Sequence, residues 1–301
     1  MTRMIGPEAE AHLDWIALTD ALEAGHTRPK GAIEDVFLYR DPDTLLSRSA
    51  WIDGLGVAVK SATVFPGNPA RGKPMIGGAV SLFDDADGHL AAILDFHLVT
   101  KWKTAGDSLL AARKLARPDS RRILIVGAGT VGRSLHDAYS AAFPEAAFTI
   151  WNRSPEGAER FVQDRPGTSI ATDLEAAVGD ADIITCATMS TNPVVRGAWL
   201  RPGQHLDLIG AYRPDMRETD DEALARARVF VDSIDTTLHH IGELKIPHDK
   251  GIFLQKDIIA DFYDMASFQR HDDAEITLFK NGGGAHLDLM TCRYILDSLP
   301  D

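Results

Sequence analysis

An apolar run that feeds straight into three spaced glycines, ILIVGAGTVGRS at residues 123–134, constrains this chain more than any other stretch. Its G-x-G-x-x-G spacing puts Gly127, Gly129 and Gly132 where a strand turns into a helix whose first amides face a pyrophosphate. Gly127 permits the tight turn, Gly129 lets backbone approach the phosphates, and Gly132 brings the new helix close to the sheet. Thr130 and Val131 fall between the last two glycines, at the entrance of that helix. A second apolar run ends at Asn152, Arg153 and Ser154, about twenty residues beyond the last glycine, where such folds meet the adenosine ribose. A carboxylate at that point would accept the ribose 2′-hydroxyl and repel a 2′-phosphate. This chain offers a cation between two neutral hydrogen-bonding side chains, so NADP(H) is expected in preference to NAD(H).

A length of 301 residues suits two domains, and 45% hydrophobic content supplies ample core for both. The formal net charge of −13 argues against a nucleic-acid partner or an anionic membrane surface. No apolar stretch approaches the ~20 residues of a membrane helix. Glu8, Glu10 and Asp14 follow close on the start in place of a secretory apolar segment, so a cytoplasmic protein is expected. Cys186 and Cys292 have apolar neighbours and no C-x-x-C spacing, which predicts two reduced core thiols. The histidines are scattered, and even His239 and His240 lack the spacing that would set two imidazoles on one helix face. No metal is expected.

Two regimes of patterning divide the chain. Residues 45–52, 56–65, 76–83 and 90–94 alternate β-type runs with turn clusters, PGNP at 66–69 and DDADG at 84–88, and predict a largely antiparallel sheet. Residues 97–116 carry helical periodicity through Leu98, Trp102, Leu109, Ala112 and Leu115, and the helix stops at Arg117, Pro118 and Asp119. Beyond that stop, strand-like runs at 123–126, 148–151, 168–171, 183–187, 205–209 and 229–231 alternate with helical segments. This is the signature of an α/β, doubly wound parallel sheet of Rossmann type. Residues 285–299 are helical again and are expected to return to the first domain. The reading gives a mixed α+β substrate-binding domain, residues 1–118 with 285–301, and a dinucleotide-binding domain, residues 119–284.

Outside the glycine turn, several stretches keep a family-like order and spacing. They are KSATVFPGNPARGKP at 60–74, TKWKTA at 100–105, TCAT at 185–188 with Pro193 and Val194, IGAYRPDMRE at 209–218 and KNGGGA at 280–285. With them the chain, from Arg48 onward, resembles the ornithine cyclodeaminase/mu-crystallin family. The resemblance implies a homodimer whose first domain binds the substrate and dimerises, while the Rossmann domain carries the nicotinamide. It also implies that Arg48, Lys60 and Lys103 bind a substrate carboxylate, and that Thr185, Thr188 and Gly283 let backbone approach the nicotinamide ring. An ammonium such as Lys60 can additionally share a proton with a substrate nitrogen. Lys103 stands where the family commonly has arginine; it keeps the charge and loses the bidentate fork, so Arg48 is expected to help it.

Cyclodeaminases of the family carry an aspartate just after the Ile-Gly-Ala turn, and here that position is Tyr212. A phenol does not replace a carboxylate as a base near neutral pH. Reduction of a C=N bond is therefore expected in place of ornithine cyclodeamination, with Lys60 and Tyr212 as the catalytic candidates. The leading expectation is an NADP-dependent ketimine reductase of a small α-imino acid, taking Δ1-pyrroline-2-carboxylate to proline. Iminosuccinate reduction, alanine-type dehydrogenation, cyclodeamination and a mu-crystallin-like role in binding NADPH and small ligands stay open beside it. Asp215 and Glu218 read equally as acids at a helix N-terminus and as a catalytic pair.

Overall fold

A computed structural model of the chain describes residues 2–300. It separates into two compact units, one made of the chain up to Lys103 together with the segment from Gly283 onward, the other Thr104–Gly282.

In the first unit, β1 (Arg3–Ile5), β2 (Ala32–Arg40), β3 (Asp43–Ile52), β4 (Gly56–Val64), β5 (Ile76–Phe83) and β6 (Leu90–Asp95) form one sheet in the order β1-β6-β5-β4-β3-β2. All pairs are antiparallel except β1 with β6. The two-residue period of β4 buries Gly56, Ala58, Lys60 and Ala62 on one face. Register adds Ala50 and Ile52 of β3 and Val80 and Leu82 of β5 to that buried face. The C-terminal helix (Ala285–Ser298) packs on it, and its Arg293 donates to the Leu55 carbonyl at 3.0 Å. Helix α1 (Trp15–His26) is capped by Asp14, whose carboxylate accepts the Ala17 N–H at 2.8 Å. The antiparallel strands β3 to β6 are close to the expected ones, whereas β1, β2 and α1 have no counterpart in the sequence reading.

Helix α2 (Phe96–Leu115) contains the division between the units, earlier than the expected boundary after Pro118. Hydrogen bonds explain the difference. The Thr104 carbonyl and the Ser108 hydroxyl accept from Asn281 Nδ2 at 3.1 and 3.0 Å, and the Leu115 carbonyl accepts from Arg270 at 2.8 Å. Most of the helix is therefore fastened to the second unit.

The second unit is an all-parallel sheet of β7 (Arg122–Val126), β8 (Ala147–Trp151), β9 (Ser169–Ile170), β10 (Ile183–Cys186), β11 (His205–Leu208), β12 (Arg228–Val231), β13 (Ile258–Ala260) and β14 (Thr277–Lys280). Its order is β13-β12-β14-β11-β10-β7-β8-β9. Connections run through α3 (Thr130–Ala142), α4 (Pro155–Asp164), α5 (Leu174–Asp180), α6 (Asp221–Arg226), α7 (Ile234–Thr237) and α8 (Gly242–Asp249). The chain winds outward from β7 to β9, then returns to β10 on the other side of β7. The junction of β7 and β10 is thus the topological switch point, where doubly wound sheets take ligands at the carboxyl ends of their strands. β10, β11 and β14 are buried along their whole length, as central parallel strands require. β14 lies between β11 and β12 and escapes the sequence pattern because a buried lysine, Lys280, ends its short apolar run.

Candidate functional site

Two sets of functional side chains emerge, one in each unit. In the first, sheet register does the assembly. Asp35 of β2 pairs with Arg48 of β3, and Arg48 pairs with Lys60 of β4, so the three stand in one cross-strand row. Directly opposed residues share a face and sit within side-chain reach. Arg48 makes a forked contact with Asp35, at 3.2 Å from Nε and 2.6 Å from Nη2. Its Nη1 donates to the Gly283 carbonyl at 2.9 Å, and Lys103 from α2 donates to the same carbonyl at 3.1 Å. Lys60 donates to Asp288 Oδ1 at 2.9 Å and lies 4.9 Å from the centre of the Phe96 ring. Lys60 and Lys103 are both buried. Arg48, Lys60 and Lys103 thus gather around Asp35, Asp288 and the Gly283 carbonyl.

Burial pushes the Asp288 carboxyl up, but Lys60, Lys103 and Arg48 outweigh it and hold the group below the usual carboxylate range. His286, two residues earlier, is fully buried, and burial followed by the Lys103 charge drives its imidazole down to about 3, so it is neutral. The sequence reading contains Arg48, Lys60 and Lys103 but neither Asp35 nor Asp288. The available signal for Asp288 is an acid inside the apolar run of the last helix, AHLDLM, where a carboxylate needs a buried partner. Gly283, expected beside the nicotinamide, instead uses its carbonyl to gather Arg48 and Lys103.

The second set is the turn from β7 into α3. Gly127 has φ +114°, and a Cβ there would lie 2.6 Å from the Ala187 carbonyl oxygen. A Cβ on Gly132 would meet the Gly127 oxygen at 2.1 Å. Nothing lies within 4 Å of a Cβ on Gly129, the N-cap of α3. Open space over a helix N-terminus, walled by two positions that admit only glycine, fits a bound pyrophosphate; Thr130 and Val131 occupy the first turn beneath it. Beyond β8, Arg153 and Ser154 are exposed. Asn152 has another task than the expected ribose contact: its Oδ1 accepts the Ala128 N–H at 3.0 Å and its Nδ2 donates to the Ser154 carbonyl at 3.0 Å, which ties the glycine turn to the start of α4.

Two further expectations change. Thr185 is fully buried and donates its hydroxyl to Asp207 at 2.9 Å, inside the sheet. Thr188 gives both its N–H and its hydroxyl to Glu218 Oε1, at 2.7 and 2.8 Å. Glu218 also accepts the Gly210 N–H at 2.7 Å, so it clamps the loops after β10 and β11. Burial, reinforced by Glu243 and opposed by Lys280, pushes Glu218 up to about 8. Asp215 is exposed and pairs with Arg213 at 3.0 Å, and no helix begins there, so these acids are neither a helix cap nor a pair. Tyr212 stands on the surface of the second unit, 58% exposed. Cys186 and Cys292 are buried free thiols, as read from their surroundings. Among the described residues, Asp84, Asp87 and His89 could offer three ligand atoms to a cation; Asp87 Oδ1 already accepts the His89 N–H at 3.0 Å within the β5–β6 turn. No helix among the described residues is long and apolar enough to cross a membrane.

A Δ1-pyrroline-2-carboxylate reductase of Paracoccus denitrificans is 51% identical over 96% of this chain and 94% of its own. An archaeal alanine dehydrogenase dimer with bound NAD superposes with a TM-score of 0.89 at 25% identity, covering 99% of this chain and 95% of that one. The Thermococcus litoralis Δ1-pyrroline-2-carboxylate reductase, solved with NADH and L-proline, shares the fold with a TM-score of 0.87 at 23% identity, over 98% and 96% of the two chains. The model of the ornithine cyclodeaminase/mu-crystallin family matches residues 52–301, and it is to this family that the chain belongs.

Proposed function

We propose that this protein is an NADP-dependent imine reductase that takes Δ1-pyrroline-2-carboxylate to proline. The observation that carries the reading is the cluster of Arg48 with the buried Lys60 and Lys103, whose combined positive charge lowers the Asp288 carboxyl and suits a substrate carboxylate. The 51% identity to a reductase of that name points to the same substrate. Reduction adds a hydride to the imine carbon and a proton to the nitrogen. The nicotinamide, when bound, supplies the hydride. Arg48 and Lys103 hold the carboxylate, and Lys60, a buried ammonium, supplies the proton. Gly127, Gly129, Thr130, Val131 and Gly132 hold the pyrophosphate, while Arg153 and Ser154 bind the 2′-phosphate. Tyr212 in place of the cyclodeaminase aspartate leaves that position without a base, which favours reduction over deamination. The protein works as a homodimer.

Steady-state NADPH oxidation over a panel of imino acids tests the reading. Δ1-Pyrroline-2-carboxylate should be the best substrate, and ammonia release from ornithine at a comparable turnover would overturn it. In fluorescence titrations NADPH should bind at least tenfold more tightly than NADH, about 1.4 kcal/mol, and Arg153→Ala should remove that preference. Equal affinity of the wild type for the two cofactors contradicts the assignment to NADP.

A further inference from the structure

Asp288 is 1% exposed and only half used. Its Oδ1 accepts from Lys60 at 2.9 Å, while Oδ2 is buried without a hydrogen-bond partner. A buried carboxylate oxygen without a donor is costly, and folded proteins seldom leave one so unless another molecule completes it. The groups that face this carboxylate are Lys60 from β4, Lys103 from α2, Arg48 from β3, and His286 and the Cys292 thiol from its own helix. The cations answer a ligand's negative end. Oδ2 is the acceptor beside them, suited to a positive or N–H-bearing group. An α-imino or α-amino acid carries these two groups one carbon apart.

We propose that Asp288 Oδ2 accepts a hydrogen bond from the substrate's protonated nitrogen and so makes this site select carbon–nitrogen over carbon–oxygen double bonds. The inference rests on the reductase reading above and names the residue behind its substrate class. A protonated imine, or the secondary ammonium formed from it, brings both an N–H and a positive charge to the carboxylate. A keto acid brings only oxygen lone pairs, which leave Oδ2 unsatisfied and add repulsion.

Two ligands of one shape separate the possibilities. L-Proline and (S)-tetrahydrofuran-2-carboxylate have the same ring and carboxylate, with an ether oxygen replacing the nitrogen in the second. In competition titrations with NADP present, the wild type should bind proline at least tenfold more tightly. Asp288→Asn, which keeps the shape and removes the charge, should cut that preference to threefold or less and change ether affinity little. Equal affinities in the wild type overturn the proposal without any variant, and a water molecule on Oδ2 would give that result. An undiminished preference in Asp288→Asn, in protein that still binds NADPH, overturns it as well. The imine panel keeps the two readings apart: efficient reduction with no preference for proline removes only the role of Asp288, whereas no reduction and no binding of either ligand removes both.

Discussion

At the scale of single residues, Lys60 and Lys103 differ in their partners, and so they should differ in their kinetics. Lys60 is held by a carboxylate and an aromatic face, the surroundings of an ammonium kept in one place to act on one atom. Lys60→Met should lower imine reduction at least a hundredfold while NADPH affinity stays within twofold, because the glycine turn belongs to the other unit. Lys103 is bonded to a backbone carbonyl, and its proposed part is to bind the substrate's charge. Lys103→Met should raise KM about tenfold with kcat within threefold, the pattern of a contact equally strong in ground and transition states. A large fall in kcat with unchanged KM for Lys103→Met would reverse the assignment. Lys60 and Lys103 are legible in the sequence because they sit in recognisable motifs, and Arg48 through the family resemblance that begins at it. Their carboxylates are not, since Asp35 is fixed by strand register and Asp288 by the docking of a helix far along the chain. Local composition says that Asp288 needs a buried partner, but not which one.

Among the elements, the entrance to α3 is the most sharply specified, and it was fully legible. Its specification is steric: a Cβ on Gly132 would sit 2.1 Å from a backbone oxygen that no rotamer change can move. Gly132→Ala should therefore destabilise the second unit by about 2 kcal/mol, in the range of an overpacked core, and weaken NADPH binding more than tenfold as α3 shifts. Denaturant titration and fluorescence titration read the two effects, and an unaltered NADPH affinity would contradict the steric account. The outer strands were less legible. β9 falls inside the strand-like run at 168–171, but β13 has only three residues, too few to show a period, and β14 hides its central place behind a charged end. The loops after β10 and β11 look like ligand-binding turns in sequence. Their hydroxyl and amide groups are largely taken by Glu218, a distribution only tertiary structure reveals.

For the whole molecule, β2 argues for a second copy. It is an edge strand of nine residues that pairs only with β3 and exposes Val36, Phe37, Leu38 and Tyr39. A long apolar edge left in water invites uncontrolled pairing, and proteins that keep one normally cover it. Light scattering at micromolar concentration should report twice the chain mass, and Phe37→Glu should shift the protein toward monomer. A wild type of single-chain mass would contradict the homodimer. The order of segments along the chain has a different consequence, for synthesis. The second unit is an insert within the sequence of the first, and the bond from Lys60 to Asp288 spans 228 positions. Closing so long a loop is slow for a disordered chain. The insert shortens it, because Asn281 and Thr104, at its two ends, are joined at 3.1 Å once it has folded. Translation reaches Gly283 and Asp288 only after the whole insert, so the substrate cluster cannot close before the dinucleotide-binding unit has been synthesised.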